Sequence, residues 1–355
     1  MTLAAPAPSA RTTSTGPAAG RSTSLRRRRA VGLAVCVAAV VVATLCSFAF
    51  GSRVVGWSDV VAGVLHPDLS DIAQAAVASR VPRTLLGLLV GAALGLAGAL
   101  MQGLTRNPLA DPGLLGVSSG ASLAVVLGIA WFSLSRLDQY VWFALVGAAL
   151  AALLVYGIGS LGREGATPLK LALAGAATSA ALVSMVSMVL LTRTDVLDTF
   201  RFWQVGSIGR ATYPAIGQVL PFLVVGAVLS VGCARGMDAI ALGDEVATGL
   251  GQRLGVVRAV GALAAVLLCG AAVAVAGPIG FVGLVMPHLA RRFTGPSHRW
   301  LLPYCAALGA ALLLVADVVG RVVARPQEVE VGIVTAVIGA PVFIAIIRRH
   351  KVRAL

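Results

Sequence analysis

Charge is scarce in this chain. Asp, Glu, Lys and Arg make up 12% of its 355 residues, against about 25% in an ordinary soluble domain. A water-soluble fold of this length has too few polar side chains to cover its surface. Other absences narrow the chemistry. No GxxxxGKS loop is present, so the chain holds no nucleotide by that device. The five cysteines, Cys36, Cys46, Cys233, Cys269 and Cys305, form no CxxC pair and have no histidine at metal-ligand spacing. They read as small hydrophobes in or at the end of apolar runs. His288 stands alone, and no cluster of His, Asp or Glu marks a membrane enzyme. Neither metal nor cofactor is expected. The apolar runs hold almost no ionisable groups, Asp317 being the nearest approach to an intramembrane acid. A proton- or sodium-coupled carrier therefore lacks its usual relay.

What the chain has in abundance is apolar length. It is 58% hydrophobic, with a mean hydropathy of +0.92. A spanning helix needs roughly 20 apolar residues. Runs over 30–50, 84–102, 114–133, 141–161, 171–191, 214–233, 256–275, 279–289, 301–318 and 331–347 predict an all-α, polytopic membrane protein of about ten transmembrane helices. The run at 279–289 is short and flanked by Pro278 and Pro287, so it reads as a short helix or a partly buried hairpin arm. Residues 1–29, rich in Ala, Ser, Thr, Pro and Gly and ending in Arg26–Arg29, read as a disordered tail ahead of a membrane domain over 30–350. Net charge is +14. The basic residues lie scattered between apolar runs and form no stripe, which argues for membrane topology and against nucleic acid. Most of them fall on one side if the N-terminus is cytoplasmic, and with ten spans the basic C-terminus falls there too.

Two local patterns stand out. Gly87, Gly91 and Gly95 repeat a GxxxG spacing in the second run and predict a bare helix face for close packing. The segment from Leu242 through Gly243, Asp244, Glu245, Val246, Ala247 and Leu250 to Gly251 reads as a short helix outside the membrane. Acids sit in its first turn, where the helix dipole favours them, and a glycine sits at its stop. Leu242, Val246 and Leu250 make an apolar stripe that suits either a groove on a partner or the lipid interface.

That segment, LGDEVATGLG, is similar to the coupling-helix region of FecCD-type permeases, the membrane subunits of ABC importers for iron–siderophores, haem and cobalamin. RVPRTL at 80–85, GALMQG at 98–103, RNPLADPGLLG at 106–116, GPIGFVGLVMPH at 277–288 and VGIVTAVIGAPVF at 331–343 agree with it. The resemblance runs from about residue 30 to 350. It implies a type II ABC importer permease fold in the plasma membrane, not an enzyme itself. The implied partners are a second, identical or homologous permease subunit, two cytoplasmic ATPase subunits gripping 242–251, and an extracytoplasmic substrate-binding protein. It implies that Arg80, Arg83 and Arg321 pair with acids of that binding protein, and that the fifth run borders the channel. Thr178, Ser179, Ser184 and Ser187 are the wall candidates there, unless their hydroxyls bond their own helix. Iron–siderophore is the expected cargo, with haem or cobalamin as alternatives; a self-sufficient carrier is the rival from another class. The relatives' hydroxyl-rich gate is reduced here to Thr167 within 165–170, so no gating mechanism carries over.

Overall fold

The computed structural model describes residues 18–134, 136–161 and 167–353. Thirteen α-helices are found among them: α1 (Ala18–Ala49), α2 (Trp57–Leu65), α3 (Ile72–Thr105), α4 (Val117–Phe132), α5 (Leu137–Gly159), α6 (Pro168–Thr192), α7 (Thr194–Gln204), α8 (Tyr213–Ile240), α9 (Asp244–Gly249), α10 (Leu254–Ala276), α11 (Val282–Thr294), α12 (His298–Val323) and α13 (Val331–Arg353). Seven, in α1, α3, α5, α6, α8, α10 and α12, are long and apolar enough to cross a membrane; Val117–Phe132 and Val331–Ala345 are shorter apolar helices. Helices suit a bilayer because they satisfy their backbone groups internally. Each of the ten predicted runs coincides with a helix, and the ambiguous one at 279–289 is the short helix α11.

Two boundaries differ from expectation. Helix α1 starts at Ala18, so the later part of the expected tail continues the first span as helix; straight-chain arginines are good helix formers. Residues 1–17 lie outside the described part. The run at 114–133 opens with a 3-10 turn, Pro112–Leu115, before α4 starts. Asp111 caps that turn by accepting from the Gly113 N–H (2.8 Å).

Helices α3 and α10 form the centre: 78% and 67% of their apolar windows are buried inside the chain, against 17% for α1. Helix α3 packs most extensively on α12, and also against α10, α11 and α2; α1 lies along α12 at the edge. The predicted glycine face explains the first contact. A Cβ placed on Gly91 would lie 2.4 Å from the carbonyl oxygen of Gly309, and one on Gly95 would lie 2.1 Å from that of Cys305. The two backbones touch. Successive spans reverse direction, so α2, α7 and the 324–330 loop lie at one end of the bundle and α9 at the other.

Replacing Gly91 or Gly95 by Leu forces α3 and α12 apart and destabilises the fold by about 1–3 kcal/mol or more. Gly232 on α8 has open space where its Cβ would stand, and Gly232→Ala leaves the fold intact or slightly firmer. Thermal unfolding midpoints of the three variants in detergent should separate accordingly.

Candidate functional site

Helix α9 stands between the ends of α8 and α10. Gly243 (φ +114°) and Gly251 (φ +76°) make the turns on either side of it, conformations that side chains rarely adopt. Leu242, Val246 and Leu250 are 65%, 50% and 62% exposed, whereas Ala247 is sealed against the bundle. The apolar stripe thus faces outward from the chain, and Glu245 is exposed beside it. Asp244 fixes the helix from below. One carboxylate oxygen accepts from Arg106 at the end of α3, the other from Arg258 Nη2 on α10 (2.8 Å). Arg106 also donates to the Ile240 carbonyl (2.6 Å) at the end of α8. Desolvation raises the Asp244 pKa, but the hydrogen bond and charge of Arg258, together with Arg106, outweigh it and hold the carboxyl below its ordinary value. It is ionised at neutral pH.

A second clasp at the same end joins α8 to α12. Asp238 Oδ1 accepts from the His298 backbone N–H (2.5 Å) and lies 2.9 Å from His298 Nδ1, and Ser297 Oγ donates to Oδ2 (3.3 Å). Close by, Arg291 on α11 donates to Gln102 Oε1 (2.5 Å), whose amide donates to the Leu284 carbonyl (3.1 Å). Sequence spacing marked the exposed face of α9 but not the groups that hold it, because Arg106, Asp244 and Arg258 come from three separate segments.

At the opposite end lie Arg80, Arg83 and Arg321, the residues expected to meet a binding protein. They lie together and are buried within this chain, Arg321 to 1% exposure. Arg83 donates through Nε and Nη2 to Asp317 Oδ1 (2.9 and 2.7 Å) and through Nη1 to Glu328 Oε2 (2.6 Å). Arg321 Nη2 donates to Ser47 Oγ (2.8 Å) and sits 2.9 Å from Asp317 Oδ2; its Nη1 donates to the Ser47 carbonyl. Arg80 donates to the carbonyls of Phe48 (2.7 Å), Ala49 (3.2 Å) and Arg53 (2.8 Å). The physical reason is neutralisation: Asp317, 1% exposed, needs cations beside it, and the last carbonyls of α1 need donors. The i,i+4 spacing of Asp317 and Arg321 on an apolar helix is the signal in the sequence that points inward.

On α6, Thr178 is buried, Ser179 half-buried, and Ser184 and Ser187 exposed. Ser184 Oγ donates to the Ala180 carbonyl (2.9 Å), its own helix. Ser184 and Ser187 lie on a broad open face that includes Leu173, Met188 and Leu191. Thr167 caps α6, accepting from the Lys170 N–H (3.3 Å); Gly165 and Ala166 of the gate segment lie outside the described part.

The comparisons with known proteins meet this architecture over nearly its whole length. The chain is 44% identical over 329 residues to the ferric enterobactin transport system permease protein FepD of Escherichia coli K12, covering 92% of this chain and 98% of that one. It is 42% identical over 273 residues to the iron(3+)-hydroxamate import system permease protein FhuB of Bacillus subtilis 168, covering 77% and 71%. A solved metal-chelate type ABC transporter in an inward-facing conformation superposes with a TM-score of 0.76 at 25% identity, over 91% of this chain and 99% of that one. The model of the FecCD transport family matches residues 39–349. With the helices, the glycine-mediated contact and the α9 turn in place, the chain belongs to the FecCD transport family.

Proposed function

We propose that this chain is the membrane-spanning permease subunit of an ATP-driven importer that carries an iron–siderophore complex across the plasma membrane. The observation that carries the reading is α9: a short helix outside the spans, apolar on its exposed face and anchored on its other. A chain without a nucleotide loop or an intramembrane relay draws its energy from outside, and an exposed apolar helix suits the groove of a motor. On this reading the α9 end is cytoplasmic, as are both termini. Two ATPase subunits engage Leu242, Val246 and Leu250, one on each permease. A second permease, identical or homologous, covers the open face of α6, so that Ser184 and Ser187 border the path. A substrate-binding protein delivers cargo at the opposite end.

The siderophore assignment is supported by relatives named for ferric enterobactin, hydroxamate and ferric citrate transport; a hemin permease is 42% identical. The binding protein selects the chelate before the permease meets it, and the weakly polar hydroxyls of α6 suit passage better than capture.

Asp244 gives the coupling a mechanical form. When an ATPase pulls on α9, the carboxylate transmits the displacement to α3 through Arg106 and to α10 through Arg258, the two helices at the centre. These pairs are partly exposed and each contributes only about 0–1 kcal/mol to stability, so their value lies in the connection.

Three results are expected. In vesicles holding the permease with its ATPase and binding protein, labelled ferric siderophore accumulates with ATP and not when the ATPase is inactivated; accumulation by the permease alone refutes the reading. Leu242→Asp with Leu250→Asp removes two anchors worth about 1.5–3 kcal/mol each when buried, and ATPase subunits no longer co-purify. Asp244→Asn leaves assembly and ATP hydrolysis in place and lowers uptake several-fold; unchanged uptake sets the tether aside.

A further inference from the structure

Three spans end together at the α7 end of the bundle. The spanning stretches of α5, α8 and α10 are Asp138–Gly159, Tyr213–Ile240 and Leu254–Ala276. Between the start of α5, the start of α8 and the last turn of α10 lies a cavity of about 320 Å³, whose walls include Arg136, Asp138, Tyr140, Trp203, Arg210 and Ala276. Asp138 opens one stretch and Ala276 closes another, so the cavity lies at the level where hydrocarbon gives way to headgroups.

The walls are firmly built. The Ser207 N–H donates to the Ala276 carbonyl (2.7 Å), which clips the loop after α7 to the end of α10. Gly277 (φ +71°) turns against α7 so closely that a Cβ there would lie 2.1 Å from the Trp203 carbonyl oxygen. Trp203 stacks on Phe200 at 5.7 Å. It is 7% exposed, and its buried indole N–H has no partner among the described residues. The electrostatics favour an anion. Two guanidiniums and one carboxylate line the space. Asp138 Oδ1 accepts from Arg136 Nε (3.0 Å), yet the Arg136 side chain stays 72% exposed. Arg210 is exposed as well, and its charge acts on the Tyr140 hydroxyl. Helices α5 and α8 both begin here, so the positive ends of two helix dipoles add to the field.

Below the cavity the surface is apolar. Trp142, Val146 and Leu150 follow one another at four-residue spacing on α5 and are exposed, as are Leu220, Val224 and Val228 on α8. Trp142 meets Phe222 edge-on at 6.2 Å and joins the two helices into one face. Trp131, Phe132 and Tyr213 are exposed at the same end, in the manner of an interfacial aromatic belt. A soluble anion would use only the cavity. A molecule with an anionic head and apolar tails would use both surfaces.

We propose that this cavity binds the phosphodiester headgroup of an anionic phospholipid, with the acyl chains lying along the exposed faces of α5 and α8. Arg136 and Arg210 hold the phosphate, which guanidinium groups grip through paired N–H donors. A zwitterionic lipid brings its own cation beside two arginines and binds less well. The site lies on the lipid-facing surface and adds a ligand that the importer reading does not require.

The test uses the full-length chain in mild detergent, offered equimolar phosphatidylglycerol and phosphatidylcholine, with bound lipid read by native mass spectrometry and the thermal midpoint followed in parallel. Wild type is expected to retain phosphatidylglycerol in preference and to be stabilised by it. Arg136→Gln and Arg210→Gln are each expected to lower that preference about two- to fivefold, the range of one exposed ion pair, and the double variant to abolish it. Arg53→Gln, at an exposed arginine outside the cavity, is expected to keep it. Equal retention of the two lipids by wild type overturns the proposal, as does a wild-type preference in the double variant. Inorganic phosphate that stabilises the chain as well as phosphatidylglycerol does would assign the cavity to a free anion and overturn the lipid. Should the double variant not fold, the two single variants and the wild-type preference decide. The measurement involves no ATP and no cargo, so its failure leaves the importer reading standing.

Discussion

The bundle depends on one contact, the bare backbone approach of α3 and α12. In lipid there is little hydrophobic drive between helices, since acyl chains are as apolar as leucine, and association comes from close packing and polar links. Gly91 and Gly95 let α3 meet the backbone of α12 at Gly309 and Cys305. Dispersion forces act over the shortest distances there. Asp317 and Arg321 on α12 can meet Arg83 on α3 only because the axes are that close. The ionic cluster is thus a consequence of the glycines as much as a support for them.

The two ends of the molecule handle charge in opposite ways. At the α2 and α7 end, arginines are drawn inward and consumed by Asp317, by Glu328 and by the carbonyls that end α1. At the α9 end, the charge of Asp244 is spent on holding a helix whose outward surface is apolar. One end offers a polar rim around a neutralised interior, and the other offers an apolar ridge on a charged base. That difference suits contact surfaces of different kinds.

Much of this was legible in the sequence. Apolar run length located ten helices because the bilayer imposes that length on any span. The GxxxG repeat identified the packing face, and the four-residue spacing of Leu242, Val246 and Leu250 identified the ridge. Run length fixes depth along the membrane normal but carries no information about direction around it. The groups that hold Arg80, Arg83 and Arg321 inside the chain were therefore not legible. The tether of α9 was hidden for a related reason, since Arg106, Asp244 and Arg258 are brought together only when α3, α8 and α10 have packed.

Helix α3 carries both ends of the story on a single element. Arg106, at its terminus, holds α9, and Arg80 and Arg83, near its start, hold the ionic cluster. At about 1.5 Å per residue its 34 residues make a rod of roughly 50 Å. Turned by about 10° about its crossing with α12 near Gly91 and Gly95, the rod carries its Arg106 end, roughly 20 Å away, through roughly 3 Å, the length of a hydrogen bond. With α3 as a beam pivoting where it crosses α12, a modest tug at one membrane face is enough to unmake contacts at the other, and no relay of side chains between them is required.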